Sequence, residues 1–184
     1  MQKILYLFGE LSDDDLDWII ANGAIEKIPP ATALIKEGET TDFLYIVLEG
    51  SLVVSVTVEG GTKEVTTLGN GEIFGEMSFV DNRPPSATVE TLSESLVLSL
   101  SRPTLGAHLS DDIGFASRFY RAIALFLSSR LRITLSELEL GETELNSELE
   151  LSPVLLNNLP LAQARYDWLL RRVKNAVLLN PATV

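Results

Sequence analysis

Between Ala24 and Ser101 the chain is a succession of short apolar or alternating runs punctuated by Gly, Pro, Asn and Asp; after Pro103 the apolar period becomes three to four residues. Runs such as Phe43 to Leu48, Leu52 to Val58 and Leu96 to Leu100 suit strands, and their spacing predicts an antiparallel sandwich or barrel. Glu59, Gly60, Gly61 and Thr62 lie between the β-prone runs Leu52 to Val58 and Lys63 to Leu68, which predicts a hairpin with glycine supplying positive φ. Gly38, Gly50 and Gly71 mark further turns.

Helical patterns flank this region. Ser12 followed by Asp13, Asp14 and Asp15 looks like an N-cap with an acidic first turn; Leu16, Ile19 and Ile20 supply an apolar face, and Gly23 ends the segment. Beyond Pro103, the spacing of Ile113, Ala116, Phe119, Tyr120, Ile123, Ala124, Leu127 and Leu131 predicts a long helix over about 111–135. Its Phe119, Tyr120, Ile123 and Phe126 surface is read as ordinary packing ahead of a ligand lid, because apolar helix stripes usually serve the core. His108, near a helix start, is read as a surface or capping residue.

Residues 136–158 are an acidic connector in which Ser-Glu-Leu-Glu-Leu recurs after eleven residues. Two copies are too few for a solenoid, so a helical turn before Gly141 is expected, with an added strand as the alternative. Pro160 suits a first helical position. Ala162, Tyr166, Leu169, Leu170, Val173, Ala176 and Val177 then predict an amphipathic helix over 159–184, packed on its own domain with Trp168 off the stripe.

A length of 184 residues fits one domain, residues 1–135, plus this appendage. With 26 acidic against 14 basic residues the net charge is −12, which repels polyanions and argues against direct nucleic-acid binding. The absence of cysteine excludes disulfides, thiolate metal sites and cysteine nucleophiles, and makes the cytoplasm the default location. No apolar run reaches about 18 residues, so neither a membrane span nor a secretory leader is expected. A single histidine disfavours a metal-binding β-roll, which would converge several imidazoles on one ion. Neither a Gly-x-Ser-x-Gly elbow nor a Walker-type glycine loop is present, so no enzyme, metal or cofactor is expected.

The chemistry concentrates in Gly71 to Val89. Gly75 lets the backbone approach a ligand closely, and a short helical turn over Glu76, Met77, Ser78 and Phe79 would turn amide hydrogens toward an anion. Glu76 would accept hydrogen bonds from sugar hydroxyls, while Ser86 and the Ala87 amide add donors across the loop.

Phe74-Gly75-Glu76, followed by a short apolar stretch and then Pro84, Ser86, Ala87, Thr88 and Val89, resembles the phosphate-binding cassette of the cyclic-nucleotide-binding domain family. That family includes catabolite activator proteins and regulatory subunits of cyclic-AMP-dependent kinase. Leu34 to Gly38 and Phe43 to Gly50 are similar to the turn and strand that precede the cassette. The resemblance covers roughly the first two thirds of the chain and implies a mainly β, α+β fold: a jelly-roll-like antiparallel β-roll, about 24–101, flanked by helices. It also implies ligand-binding roles for Phe74, Gly75, Glu76, Met77, Ser78, Ser86 and Ala87, with cyclic AMP or cyclic GMP as ligand.

One position departs from that pattern, since Pro85 stands where the family carries its phosphate-binding arginine. Proline has no side-chain donor and no amide hydrogen. Arg83 is the candidate substitute, although the stiff Pro84-Pro85 unit favours a period of three and turns a side chain two residues back elsewhere. Without a ribose, Glu76 would pair with Arg83 and fill the pocket. Two functions follow: a regulatory sensor whose long helix reports occupancy, or a scaffold that has lost the nucleotide and binds a protein partner. In either, the family implies a homodimer through the helix at 111–135. The tail after that helix does not read as the winged helix-turn-helix of catabolite activators.

Overall fold

Turn glycines divide the central region of this computed structural model, which describes residues 5–140 and 153–179, into eight strands. They are β1 (Ala24–Ile28), β2 (Ala33–Ile35), β3 (Phe43–Glu49), β4 (Leu52–Val58), β5 (Gly61–Leu68), β6 (Ile73–Phe74), β7 (Thr88–Thr91) and β8 (Ser95–Ser101). Two four-stranded antiparallel sheets result, in the orders β1-β8-β3-β6 and β2-β7-β4-β5. The Gly60-Gly61 hairpin joins β4 to β5 with both glycines at positive φ. At Gly50, φ is +111° and a Cβ would fall 2.2 Å from the Ser95 hydroxyl, so the β3–β4 turn admits no side chain there.

β3 is buried on both faces, which explains why it reads as a continuous apolar run instead of an alternating one. Tyr45 and Val47 enter the core between the sheets with Ile28, Leu52, Phe74 and Val97. Leu44, Ile46 and Leu48 join the larger core under the helices, with Phe8, Leu16, Phe115, Phe119 and Phe126. The fold is the expected α+β roll with helices on both sides of it in sequence.

Six helices accompany the strands: α1 (Leu5–Glu10), α2 (Asp13–Asn22), α3 (Glu76–Asp81), α4 (Arg102–Asp111), α5 (Ile113–Leu140) and α6 (Pro153–Leu179). Ser12 caps α2 through a reciprocal pair, its hydroxyl accepting from the Asp15 amide while the Asp15 carboxylate accepts from the Ser12 amide. Asp15 also receives Arg118 of α5 through two hydrogen bonds, 2.6 and 2.7 Å, which tie α2 to α5. No helix among the described residues is long and apolar enough to cross a membrane.

The helical layer departs from the sequence reading in four places. α1 was not anticipated, and its Leu7 and Phe8 are fully buried. The region after Pro103 is two helices, because the Asp112 carboxylate accepts from the Phe115 amide at 2.8 Å and starts α5 afresh. The long helix then continues to Leu140 beyond the expected 135, while the rest of the eleven-residue echo up to Ser152 lies outside the described residues. α6 begins at Pro153, so the connector ends sooner than 158 and Pro160 sits inside the helix instead of opening it. Pro153 takes the opening position that either proline could have filled. His108 caps no helix with its ring; it stacks on Trp18 at 3.8 Å and packs against Phe115.

α6 folds back on α1 and the roll. Ala162, Tyr166, Leu169 and Val173 are buried on one face, and the Tyr166 hydroxyl donates to the Leu48 carbonyl at the end of β3. Arg165 donates to Asp13 and to the Phe8 carbonyl, and Arg172 to Asp17. Trp168, off that face, is partly exposed beneath the Arg172 guanidinium.

Candidate functional site

A cavity of about 320 Å³ opens between the second sheet, α3 and α5, at the lower end of the range of roughly 300–1,000 Å³ common for small-molecule pockets. Val54, Val56, Val65 and Leu68 make an apolar wall. Facing it, Phe74 comes from the end of β6, Gly75, Glu76, Met77 and Ser78 from the start of α3, and Ser86 and Ala87 from the loop that leads into β7. Seven of the eight residues singled out in the sequence therefore share one wall. Arg83 stands apart: its side chain is 83% exposed and pairs with Asp81 at 3.8 Å.

Backbone geometry fixes that wall. Gly75 has φ +84°, and a Cβ there would lie 2.9 Å from the Phe43 carbonyl oxygen, so only glycine lets α3 begin this close to β3. The far side of the loop is held by the 36–38 turn. The Gly38 amide donates to the Pro85 carbonyl at 2.8 Å, and the Glu37 amide to the Thr88 hydroxyl at 3.1 Å. At the C-terminal end of α3, Arg102 donates to the Ser78 carbonyl and the Asn82 side chain, while Phe79 meets Phe119 of α5 edge to face. The wall is thus fastened to the helices that follow the roll.

Glu76 is the acid of the site and is only 2% exposed. Its partner is Arg130 of α5, not Arg83, with Arg130 Nη1 donating to Glu76 Oε1 at 2.9 Å. Burial pushes the Glu76 carboxyl above the usual carboxylate range, against the opposing pull of Arg130 and of the Glu76 and Met77 amides. Arg130 is the residue that sequence reasoning missed. A signal for it existed, since Phe119, Ile123, Phe126 and Arg130 recur at steps of four, three and four on one face of α5, and the three apolar members are buried. The Arg130 guanidinium also lies 4.6 Å from the Phe126 ring centroid.

The other charged residue of the wall is Glu72, whose carboxylate accepts from the Gly69 amide. Arg130 is the one basic residue among the described residues lining the cavity. An apolar wall, two carboxylates, two serines and one guanidinium suit a ligand with an apolar body, hydroxyls and an anionic group.

Residues 25–112 match the family model described as the cyclic nucleotide-binding domain. The cAMP-dependent protein kinase regulatory subunit of Blastocladiella emersonii is 32% identical over 118 residues, which are 64% of this chain and 29% of that protein. The crystal structure of Thermus thermophilus catabolite activator protein is similar with a TM-score of 0.62 and 28% identity, over 73% of this chain and 62% of that one. The regulatory domain of Toxoplasma gondii PKA, solved with cAMP, is 36% identical with a TM-score of 0.53, over 58% of this chain and 42% of that one. The chain spans less than a third of the length of the first curated relatives it matches. Residues 25–112, which hold the glycine-set turns and the short helix opened by Gly75, are similar to the cyclic nucleotide-binding domain family.

Proposed function

We propose that this chain is a non-catalytic sensor module whose cavity takes a cyclic nucleotide, cyclic AMP or cyclic GMP, and whose long helix reports occupancy. One observation carries this reading: residues 74–78 and 86–87 share a single cavity with Arg130, Ile133 and Thr134 of α5, so a ligand there touches the roll and the helix together. Glu76 would accept from the ribose hydroxyls, the base would lie against Val54, Val56, Val65 and Leu68, and Ser86 would add a donor to the phosphate. A ligand that touches both regions prefers one packing of the helix over another, which is the physical requirement for a signal.

The output would be a protein contact. Ile113, Tyr120 and Leu131, each about half or more exposed, place apolar surface along α5, and this face fits a second copy or a protein partner. The relatives named as kinase regulatory subunits support a regulatory role within a longer assembly. The net charge of −12 disfavours nucleic acid as the direct partner.

A second reading keeps the roll as a scaffold without nucleotide. It is favoured by Pro85, which brings no donor to the cavity, and by the Glu76–Arg130 pair already inside it. Titration calorimetry with cyclic AMP and cyclic GMP separates the two. Heat that saturates and is lost in Glu76→Ala is expected for the sensor; silence up to millimolar ligand assigns the scaffold.

A further inference from the structure

We propose that Arg130 is the counter-charge for the ligand's phosphate, released by Glu76 when the cavity fills, so that α5 itself joins the anion site. The inference deepens the sensor reading and rests on it. A cyclic phosphodiester is a permanent anion, and the charged groups it would face are Glu72 before β6, Glu76 on α3 and Arg130 on α5. Two carboxylates repel it, and only Arg130 attracts it. The loop supplies no substitute, because Pro85 has no donor and Arg83 is exposed and held by Asp81.

The geometry also lets Glu76 release the guanidinium. The two side chains share one hydrogen bond among the described residues, and the Arg130 side chain is 32% exposed, which leaves it room to turn. Ligand hydroxyls would replace Arg130 on the Glu76 oxygens, and burial already biases that carboxyl toward its neutral form. The charges then close. Arg130 and Glu76 sum to zero, the phosphate adds one negative charge, and a proton taken up by Glu76 returns these three groups to zero, with Glu72 held apart on the Gly69 amide. Position 130 lies beyond the matched segment 25–112, so the counter-charge belongs to this chain's long helix and not to the cassette.

The test is calorimetry on the full chain with cyclic AMP, cyclic GMP and adenosine, the last lacking the phosphate. Wild type should prefer its better cyclic nucleotide over adenosine by about ten- to a hundredfold, the range expected for charge-assisted hydrogen bonds. Arg130→Gln, which keeps a donor but not the charge, should erase that preference, and adding Pro85→Arg to it should bring the preference back. The preference should also grow as pH falls from 8 to 6, and not in Glu76→Gln. An Arg130→Gln protein that still prefers the cyclic phosphate overturns the role of Arg130 while the cavity reading stands. A wild type that binds nothing, with binding created by Pro85→Arg, does the same; no binding by either overturns both. Thermal melts establish that each variant folds. In wild type the Arg130 Nε–H NMR signal should shift with cyclic AMP and not with adenosine, and an unmoved signal overturns the proposal even if Arg130→Gln does not fold.

Discussion

The helix α5 carries two arginines that each meet a buried acid, and the two pairs behave in opposite ways. Arg118 grips Asp15 with two short hydrogen bonds, and Ser12 completes the acid's shell through its amide. Burial pushes the Asp15 carboxyl up, but Arg118 and Ser12 outweigh it and hold the group below its ordinary value. Arg130 offers Glu76 one hydrogen bond at the edge of a cavity, and there burial wins. Guanidinium and carboxylate thus make a two-point clasp at Asp15 and a single-point contact at Glu76.

Removing either arginine should break this comparison most visibly. Arg118→Ala leaves Asp15 buried and uncompensated and should cost about 3 kcal/mol, at the low end for a broken buried pair because Arg118 itself is partly exposed. Urea denaturation measures that loss, and nucleotide affinity corrected for folding should not change. Gly75→Ala comes next. It forces a left-handed residue with its Cβ 2.9 Å from a carbonyl oxygen and should cost about 1–3 kcal/mol, with the cavity distorted as well. Glu76→Gln should change stability by less than about 1 kcal/mol, since it removes a buried charge as well as its contact. A loss as large as that of Arg118→Ala would erase the distinction between the two pairs.

Acidity sharpens the contrast with the smallest effects. Asp15 has a lowered value in the folded state, so its contribution is present above its ordinary value of 3.8 and is lost as pH falls below it. Glu76 has a raised value, so the folded state holds the extra proton and stability rises as pH falls toward the ordinary 4.5. Denaturation midpoints across pH 2 to 8 should show the Glu76 slope disappear in Glu76→Gln, and the acid-side loss below the ordinary Asp value diminish in Asp15→Asn.

Features written in neighbouring residues were legible before any coordinates. The Gly60-Gly61 hairpin, the Ser12 cap and the Gly75-Glu76 corner each depend on a local backbone demand that only a few residue types meet. Arg130 was hidden because its role depends on a partner 54 positions away, and a helical arginine is by default a solvated one. The two prolines at 153 and 160 illustrate another limit. Both suit a first helical turn, so local sequence does not choose between them, and the helix opens at Pro153 with Pro160 inside it. The break at Asp112 could have been read from an aspartate three residues ahead of a buried phenylalanine, a capping signal set inside an otherwise continuous apolar period.

Twelve residues separate Arg118 from Arg130, about 18 Å along the axis of α5. The first is anchored by Asp15, and the far end of the segment lies at the pocket. On the proposed sensor reading, a swing of about 3° around that anchor would displace the far end by about 1 Å, enough to break a lone hydrogen bond and give the rod a new heading.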